Sequence, residues 1–159
     1  MNRLSETDHL PAGSTVCSIG MFDGVHLGHA TLIQALKDEA AARGQQSLVV
    51  TFGQHPQHVL QCNPQLKMLQ TLDQRLQALA TLAPDYLAVL DFTPQLARMD
   101  SEAFMRLLRD RYGMTALIVG YNHVLGTIEA RSLPTMCASV VGWVWTLLKH
   151  QSTWVSTHP

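Results

Sequence analysis

A stretch rich in glycine and histidine, residues 20–29, separates an apolar run from a helical pattern. The apolar run covers residues 15–19, and apolar residues with helical spacing continue from Leu27 towards Gly44. A strand, a loop and a helix in this order predict the start of an α/β fold. Ligands of such folds collect at the carboxyl ends of the strands, so the stretch indicates both a fold and the place of a site.

The residue types in this loop suit a bound phosphate. Gly20 and Gly24 permit tight turns, and Gly28 leaves room for a phosphate close to the backbone. His26 and His29 are three residues apart, so they share one face if the helix begins here. The N-terminus of a helix favours anions, and two imidazoles beside it can donate hydrogen bonds to a phosphate.

The rest of the chain continues the alternation of strand and helix. Residues 47–52 form a β-branched apolar run that predicts a buried parallel strand, and further strands are predicted at 86–90 and 116–120. Helices are predicted to begin near Thr71 and near Ser101. This pattern predicts an α/β, Rossmann-like fold with a parallel sheet flanked by helices.

Residues at the helix ends give finer expectations. Thr71 and Gln74 have the spacing of a capping box at the start of the second helix. We expect Arg75 to lie on a solvated face of this helix, with a ligand contact as the alternative. Ser101 is expected to cap the third helix, and Gly113 to end it.

Composition fits one globular domain and bounds its partners. The chain has 159 residues, of which 47% are hydrophobic and 14% charged. A net charge of −1 indicates no nucleic acid and no acidic membrane surface as a partner, and the late apolar run at 140–148 is too short to span a bilayer. Three widely spaced cysteines and the lack of an N-terminal signal core indicate a cytoplasmic protein. The oligomeric state is left open.

Residues 20–29 carry the pattern G-x-F-D-G-V-H-x-G-H. This pattern resembles the signature of the FAD synthetase (FMN adenylyltransferase) module of bacterial bifunctional riboflavin kinase/FAD synthetases. Its shorter His-x-Gly-His core is shared by nucleotidylyltransferases generally. The resemblance implies a nucleotidylyltransferase fold and a reaction of ATP with FMN that gives FAD and pyrophosphate, with Mg²⁺ accompanying the ATP.

The resemblance also implies roles for the residues of this loop. His26 and His29 would be catalytic, because they would stabilise the triphosphate and the departing pyrophosphate. The residues implied to bind ATP are Gly20, Phe22, Asp23, Gly24 and Gly28. Whether Asp23 fixes the turn or orders the water shell of the metal ion is left open, and no residue is assigned as a metal ligand.

Two further loops resemble parts of the family's flavin and nucleotide site. Residues 51–56 match a T-F-x-x-H-P pattern, and residues 120–122 match a Gly-Tyr-Asp/Asn pattern. The resemblance implies four residues on the flavin side: Thr51, His55, Pro56 and Asn122. Without the resemblance, His55 reads as an exposed residue in a proline turn, and Asn122 as ordinary turn chemistry.

The resemblance stops at about residue 123. It divides the chain into a lead-in at 1–14, a partial FAD synthetase-like domain at 15–126 and an atypical tail at 127–159. The tail holds all three tryptophans and only three charged residues, and the family's Ser/Thr-x-x-Arg motif and riboflavin-kinase barrel are not found in it. We therefore expect a sheet that is incomplete at the C-terminal end and has an unpaired edge.

Three functions stay open on this basis. An FMN adenylyltransferase is favoured by the long motif. Another nucleotidylyltransferase, acting on a pantetheine phosphate or a cytidylyl acceptor, shares only the shorter core. A non-catalytic nucleotide- or flavin-binding fragment is favoured by the missing Ser/Thr-x-x-Arg element.

We predict a frameshift near residue 124, so that the tail is an out-of-frame peptide. We back-translate Leu133 to Thr146 and shift the frame, so that each new codon begins with the third base of the preceding codon. In this frame the genetic code permits a single residue at three places: Val after Met136, Gly after Trp143 and Asp after Trp145. Free choice of the remaining bases permits a polar continuation similar to the family's. The alternative is a genuine, divergent tail. Sequencing the source DNA decides between them, and an intact frame without a family-like shifted continuation contradicts the frameshift.

Overall fold

The structure, a computed structural model, describes residues 1–5, 7–55, 59, 67–119, 143–147 and 154–157. The strands in these ranges are β1 (Asn2–Leu4), β2 (Thr15–Ile19), β3 (Gln46–Phe52), β4 (Tyr86–Leu90), β5 (Met114–Val119), β6 (Trp143–Leu147) and β7 (Trp154–Thr157). The helices there are α1 (Leu27–Ala42), α2 (Leu72–Thr81), α3 (Pro94–Arg98) and α4 (Ser101–Tyr112). None of these helices is long and apolar enough to cross a membrane.

The strands form one sheet in the order β1-β4-β3-β2-β5-β6-β7. The first five strands of this order pair in parallel. β6 then pairs antiparallel with β5, and β7 pairs antiparallel with β6. The predicted parallel sheet flanked by helices is therefore confirmed. β2 is central, with β3 on one side and β5 on the other, so a crevice opens at its carboxyl end. The loop 20–29 begins at this crevice.

Apolar side chains cover both faces of the sheet. On one face, α1 and α2 pack their buried residues Ile33, Leu36, Ala40, Leu76 and Leu79. On the other face, α4 packs Phe104, Met105, Leu108 and Tyr112. Because the parallel strands are buried on both sides, they require continuous apolar runs rather than alternation. The result is three layers, with helices above and below a sheet.

The predicted elements lie where the sequence placed them. The strands at 15–19 and 86–90 have the same bounds in the structure, and the other two predicted strands are shifted by at most two residues. Periodic apolar runs of this length are strong local signals, which is why their positions were predictable.

Four elements were not predicted: β1, α3, β6 and β7. β1 lies within the expected lead-in and pairs in parallel with β4 through Asn2 and Tyr86. β6 pairs with β5, with Trp143 opposite Val119, so the edge that was expected to be open is paired. Such short elements depend on distant partners and leave little local pattern.

The helix caps show one correction. The capping box at α2 is confirmed: Gln74 N donates to Thr71 Oγ1 at 3.3 Å, and Thr71 N donates to Gln74 Oε1 at 3.0 Å. At α4 the predicted cap, Ser101, is wrong, because Asp100 caps the helix and its Oδ1 accepts from Ala103 N at 2.7 Å. A carboxylate at this place also interacts favourably with the helix dipole.

Gly44 and Gly113 provide a matched test of how tightly the turns after α1 and α4 are packed. Both follow a helix in the left-handed conformation, with φ of +63° and +64°. A Cβ on Gly44 would meet no atom within 4 Å, whereas a Cβ on Gly113 would overlap the carbonyl oxygen of Pro11. We expect Gly44→Ala to lower the free energy of unfolding by about 1 kcal/mol. Gly113→Ala should lower it by about 3 kcal/mol or more, because overlap adds to the backbone strain. Equal losses in urea denaturation would contradict the tight Pro11 contact.

Candidate active site

The loop after β2 is anchored to β3 at its start. Gly20 N donates to Val50 O at 3.1 Å, and Thr51 Oγ1 donates to Met21 O at 3.2 Å. Thr51 is fully buried, so this hydrogen bond of its hydroxyl anchors the loop to the interior of the protein. These bonds fix where the loop leaves the sheet.

Phe22 is buried under the histidines in an unusual conformation. Its φ is +52°, and its ring packs edge to face against His29 with 5.3 Å between ring centroids. A Cβ on Gly20 would lie 3.3 Å from the Phe22 ring, so a side chain at that position would press on the ring. Left-handed backbone at a non-glycine residue costs about 1 kcal/mol, and burial of the phenyl ring offsets this cost by about 2 kcal/mol.

His26 and His29 lie together at the first turn of α1. His26 is the N-cap: its Nδ1 accepts from Gly28 N at 3.1 Å, and His29 Nδ1 accepts from His26 N at 3.4 Å. The two rings stack with 3.9 Å between centroids. Because both Nδ1 atoms accept, these hydrogen bonds assign the proton of each neutral ring to Nε2. Each ring can therefore donate an Nε2–H to a ligand.

His29 is held in its neutral form in the free chain. Burial lowers the pKa of His29 below its usual value near 6.5, the neighbouring His26 lowers it further, and the Asp23 carboxylate opposes both. A triphosphate beside the ring would favour the imidazolium, so anion binding and proton uptake at His29 are linked.

The lack of a side chain at Gly28 leaves the first turn of α1 accessible to a ligand. A Cβ at this position would lie 3.0 Å from Cε1 of His26, so a side chain would displace that ring. The first-turn N–H groups of α1 have no backbone partner in a preceding turn, although Gly28 N donates to His26 Nδ1, and they give the helix N-terminus a positive character. An anion can therefore approach the backbone at the place where the two imidazoles donate.

Asp23 ties the loop to the segment before α2. Its Oδ2 accepts from Leu69 N at 2.8 Å, and its Oδ1 accepts from Gln70 N at 3.0 Å. In return, Gly24 N donates to Gln70 Oε1 at 3.0 Å. We call these three hydrogen bonds the Asp23 latch. Of the two roles left open by the sequence, the structure shows Asp23 in the turn-fixing one.

Gly24 fits closely against the same segment. Its φ is +65°, and a Cβ would lie 2.8 Å from Cδ1 of Leu69. Glycine suits this position because it adopts the left-handed backbone without strain, and a side chain here would also displace the exposed end of Leu69.

A cavity of about 450 Å³ lies beside the latch, between the end of β3 and the start of α2. Its lining comes from residues 53–55 and 68–72, with Gln74 and Arg75. The volume is within the range of small-molecule sites. His55, expected on the flavin side, lines this cavity, whereas Pro56 and Asn122 lie outside the described residues.

The solvated position predicted for Arg75 is wrong. Arg75 is 1% exposed, and its Nη2 donates to Phe52 O at 2.5 Å. Burial lowers the pKa of Arg75 below its usual value, and the charge of Asp23 partly opposes this effect. The signal was available in the sequence, because position 75 shares the buried helical stripe of Leu72, Leu76 and Leu79.

Sequence reasoning missed the part played by Leu69 and Gln70. These residues lie 46 and 47 positions from Asp23, so no local pattern marks the contact. Among the described residues, no group of three His, Cys, Asp or Glu side chains is placed to hold a metal ion.

Comparison with known proteins identifies one family. A family model described as FAD synthetase matches residues 9–144, which includes part of the expected tail, and the boundary at 126 stays a prediction. The bifunctional riboflavin kinase/FMN adenylyltransferase of Listeria monocytogenes is 32% identical over 121 residues, covering 76% of this chain and 38% of that protein. The Bacillus subtilis protein of the same name is 29% identical over 123 residues, covering 77% and 39%. The chain thus spans about two fifths of the length of these relatives.

A solved structure supports the fold. The chain aligns with a structure titled macrolide-efflux protein from Streptococcus pneumoniae with a TM-score of 0.64 at 21% identity, covering 79% of this chain and 42% of that one. At this identity, the likeness concerns the arrangement of strands and helices alone.

The electrostatics of His29 can be tested by NMR. We expect its imidazole to titrate with a midpoint below 6.5 in the free chain, because burial disfavours the charged ring. In Asp23→Asn the midpoint should fall further, since the carboxylate that favours the cation is removed, and with ATP it should rise. A His29→Gln variant identifies the signal. A midpoint at or above 6.5 in the free chain would contradict the structure.

Proposed function

Because the chain belongs to the FAD synthetase family, we propose that it transfers the adenylyl group of ATP to FMN, giving FAD and pyrophosphate. The observation that carries the proposal is the stacked pair His26 and His29 at the N-terminus of α1. This pair presents two donors beside a positive helix end, and the cavity at the end of β3 offers room for a second substrate.

The chemistry needs positioning and charge stabilisation rather than a protein nucleophile. An oxygen of the FMN phosphate attacks the α-phosphorus of ATP in line, and the bond from that phosphorus to the pyrophosphate oxygen breaks. Negative charge grows on the departing pyrophosphate. Nε2–H donors on His26 and His29 stabilise this charge, and protonation of His29 strengthens its hydrogen bond.

The residues proposed to bind ATP have different tasks. Gly28 lets the triphosphate approach the backbone, while Gly20 and Phe22 set the position of the His29 ring. Asp23 and Gly24 hold the turn through the latch. Mg²⁺ enters with ATP, bound to phosphate oxygens, and in this form it needs few protein ligands.

The acceptor side is proposed at the end of β3. His55 lines the cavity, and Thr51 donates to Met21 O in the loop after β2. Pro56 and Asn122 are proposed on this side from the family resemblance alone, since they lie outside the described residues. We also propose a cytoplasmic location, since the spacing of the three cysteines does not suit a disulfide framework.

The direct test incubates the purified chain with ATP, Mg²⁺ and FMN and follows FAD by chromatography. We expect FAD from the wild type and a loss of roughly 10²- to 10³-fold in His29→Ala, because a preorganised donor to the leaving group is removed. His9→Ala removes an exposed imidazole from the N-terminal segment and should leave the rate unchanged.

Other outcomes separate the alternatives. A folded wild type that binds ATP and FMN and forms no FAD would contradict the proposed activity and favour a binding protein. Preferential adenylyl transfer to a pantetheine phosphate, or cytidylyl transfer from CTP, would indicate another nucleotidylyltransferase. Circular dichroism of each sample establishes that the chain is folded.

A further inference from the structure

The starting point is the guanidinium of Arg75. Arg75 is the one charged residue that is buried in the described part of the chain, with 1% of its surface exposed. Its Nη2 donates to Phe52 O, whereas its buried Nε and Nη1 have no hydrogen-bond partner in the part of the chain that the structure describes. A buried guanidinium with unmet donors is costly, so an anion that reaches it gains a strong partner.

The acidic group whose charge acts on Arg75, Asp23, does not satisfy these donors. Asp23 acts on Arg75 through its charge, yet both of its carboxylate oxygens accept from the backbone of Leu69 and Gln70. The Asp23 latch therefore holds the carboxylate in place, and none of the described carboxylates is hydrogen-bonded to the guanidinium.

A second positive feature faces the same cavity. The lining includes Thr71, Leu72 and Gln74, which form the cap and first turn of α2. The N-terminus of this ten-residue helix has a partial positive charge. Arg75 and this helix end thus place two independent positive groups at one cavity, while Met68 and Leu69 supply apolar surface.

We propose that this cavity binds the phosphate monoester of the acceptor flavin nucleotide, and that Arg75 is the residue that distinguishes FMN from riboflavin. The inference rests on the proposed function. A guanidinium recognises phosphate oxygens well, because it offers several donors with a permanent charge.

The acceptor fits this place better than ATP. The triphosphate already has a site at His26, His29 and the start of α1. The Asp23 latch joins that site to the cavity, because Asp23 belongs to the loop that carries the histidines and Gln70 lines the cavity. A phosphate held near Arg75 would thus lie next to the ATP site.

The test measures dissociation constants of FMN and riboflavin by quenching of flavin fluorescence. We expect the wild type to bind FMN roughly 10- to 100-fold more tightly than riboflavin, as charge-assisted hydrogen bonds allow. In Arg75→Met this preference should nearly vanish with unchanged riboflavin affinity, and Arg75→Lys should retain part of it. Arg106→Met, which removes an exposed charge on α4, should keep the full preference.

Several results would overturn the proposal. They are equal binding of both flavins by the wild type, an equal loss of both in Arg75→Met, or a loss of ATP affinity in place of FMN affinity. If Arg75→Met does not fold, the wild-type comparison and Arg75→Lys decide. FAD formation with a preference that does not depend on Arg75 would refute this inference alone. An Arg75-dependent preference without FAD formation would refute only the proposed activity, and absence of FMN binding would refute both.

Discussion

Three hydrogen bonds between Asp23, Gly24 and the segment before α2 hold the two halves of the candidate site together. The loop after β2 carries the histidines, and the segment at 67–71 borders the cavity, so neither half is complete without the other. Charge-assisted bonds to backbone N–H groups are among the stronger hydrogen bonds in proteins. The latch therefore fixes the position of the histidine loop relative to the cavity beside α2.

Burial disfavours the charged forms of two side chains at the candidate site, His29 and Arg75. Burial lowers the pKa values of both His29 and Arg75, and the charge of Asp23 opposes this in each case. A phosphate bound beside them would favour the protonated form of His29 and would offset the cost of burying the Arg75 guanidinium. The same carboxylate thus holds the turn through the latch and favours the charged forms of both His29 and Arg75.

Most of the central sheet was predictable, because its signals are local. Long apolar runs marked β2 to β5, and the box of Thr71 and Gln74 marked the start of α2. Ser101 and Asp100 are both good capping residues, and only the geometry of the first turn favoured Asp100. β1 and β6 depend on pairing with distant strands, so the sequence around them was uninformative.

The sequence by itself determined the order of β2 to β5 with α1, α2 and α4, and the chemistry of the loop at 20–29. The reason is that glycine turns, histidine spacing and apolar periodicity act over a few residues. Only the tertiary structure decided that Asp23 binds the segment at 69–70, that Phe22 supports His29, and that Arg75 is buried. These contacts join elements far apart in the chain, and their energies depend on burial, which exists only once the sheet and its helices have packed.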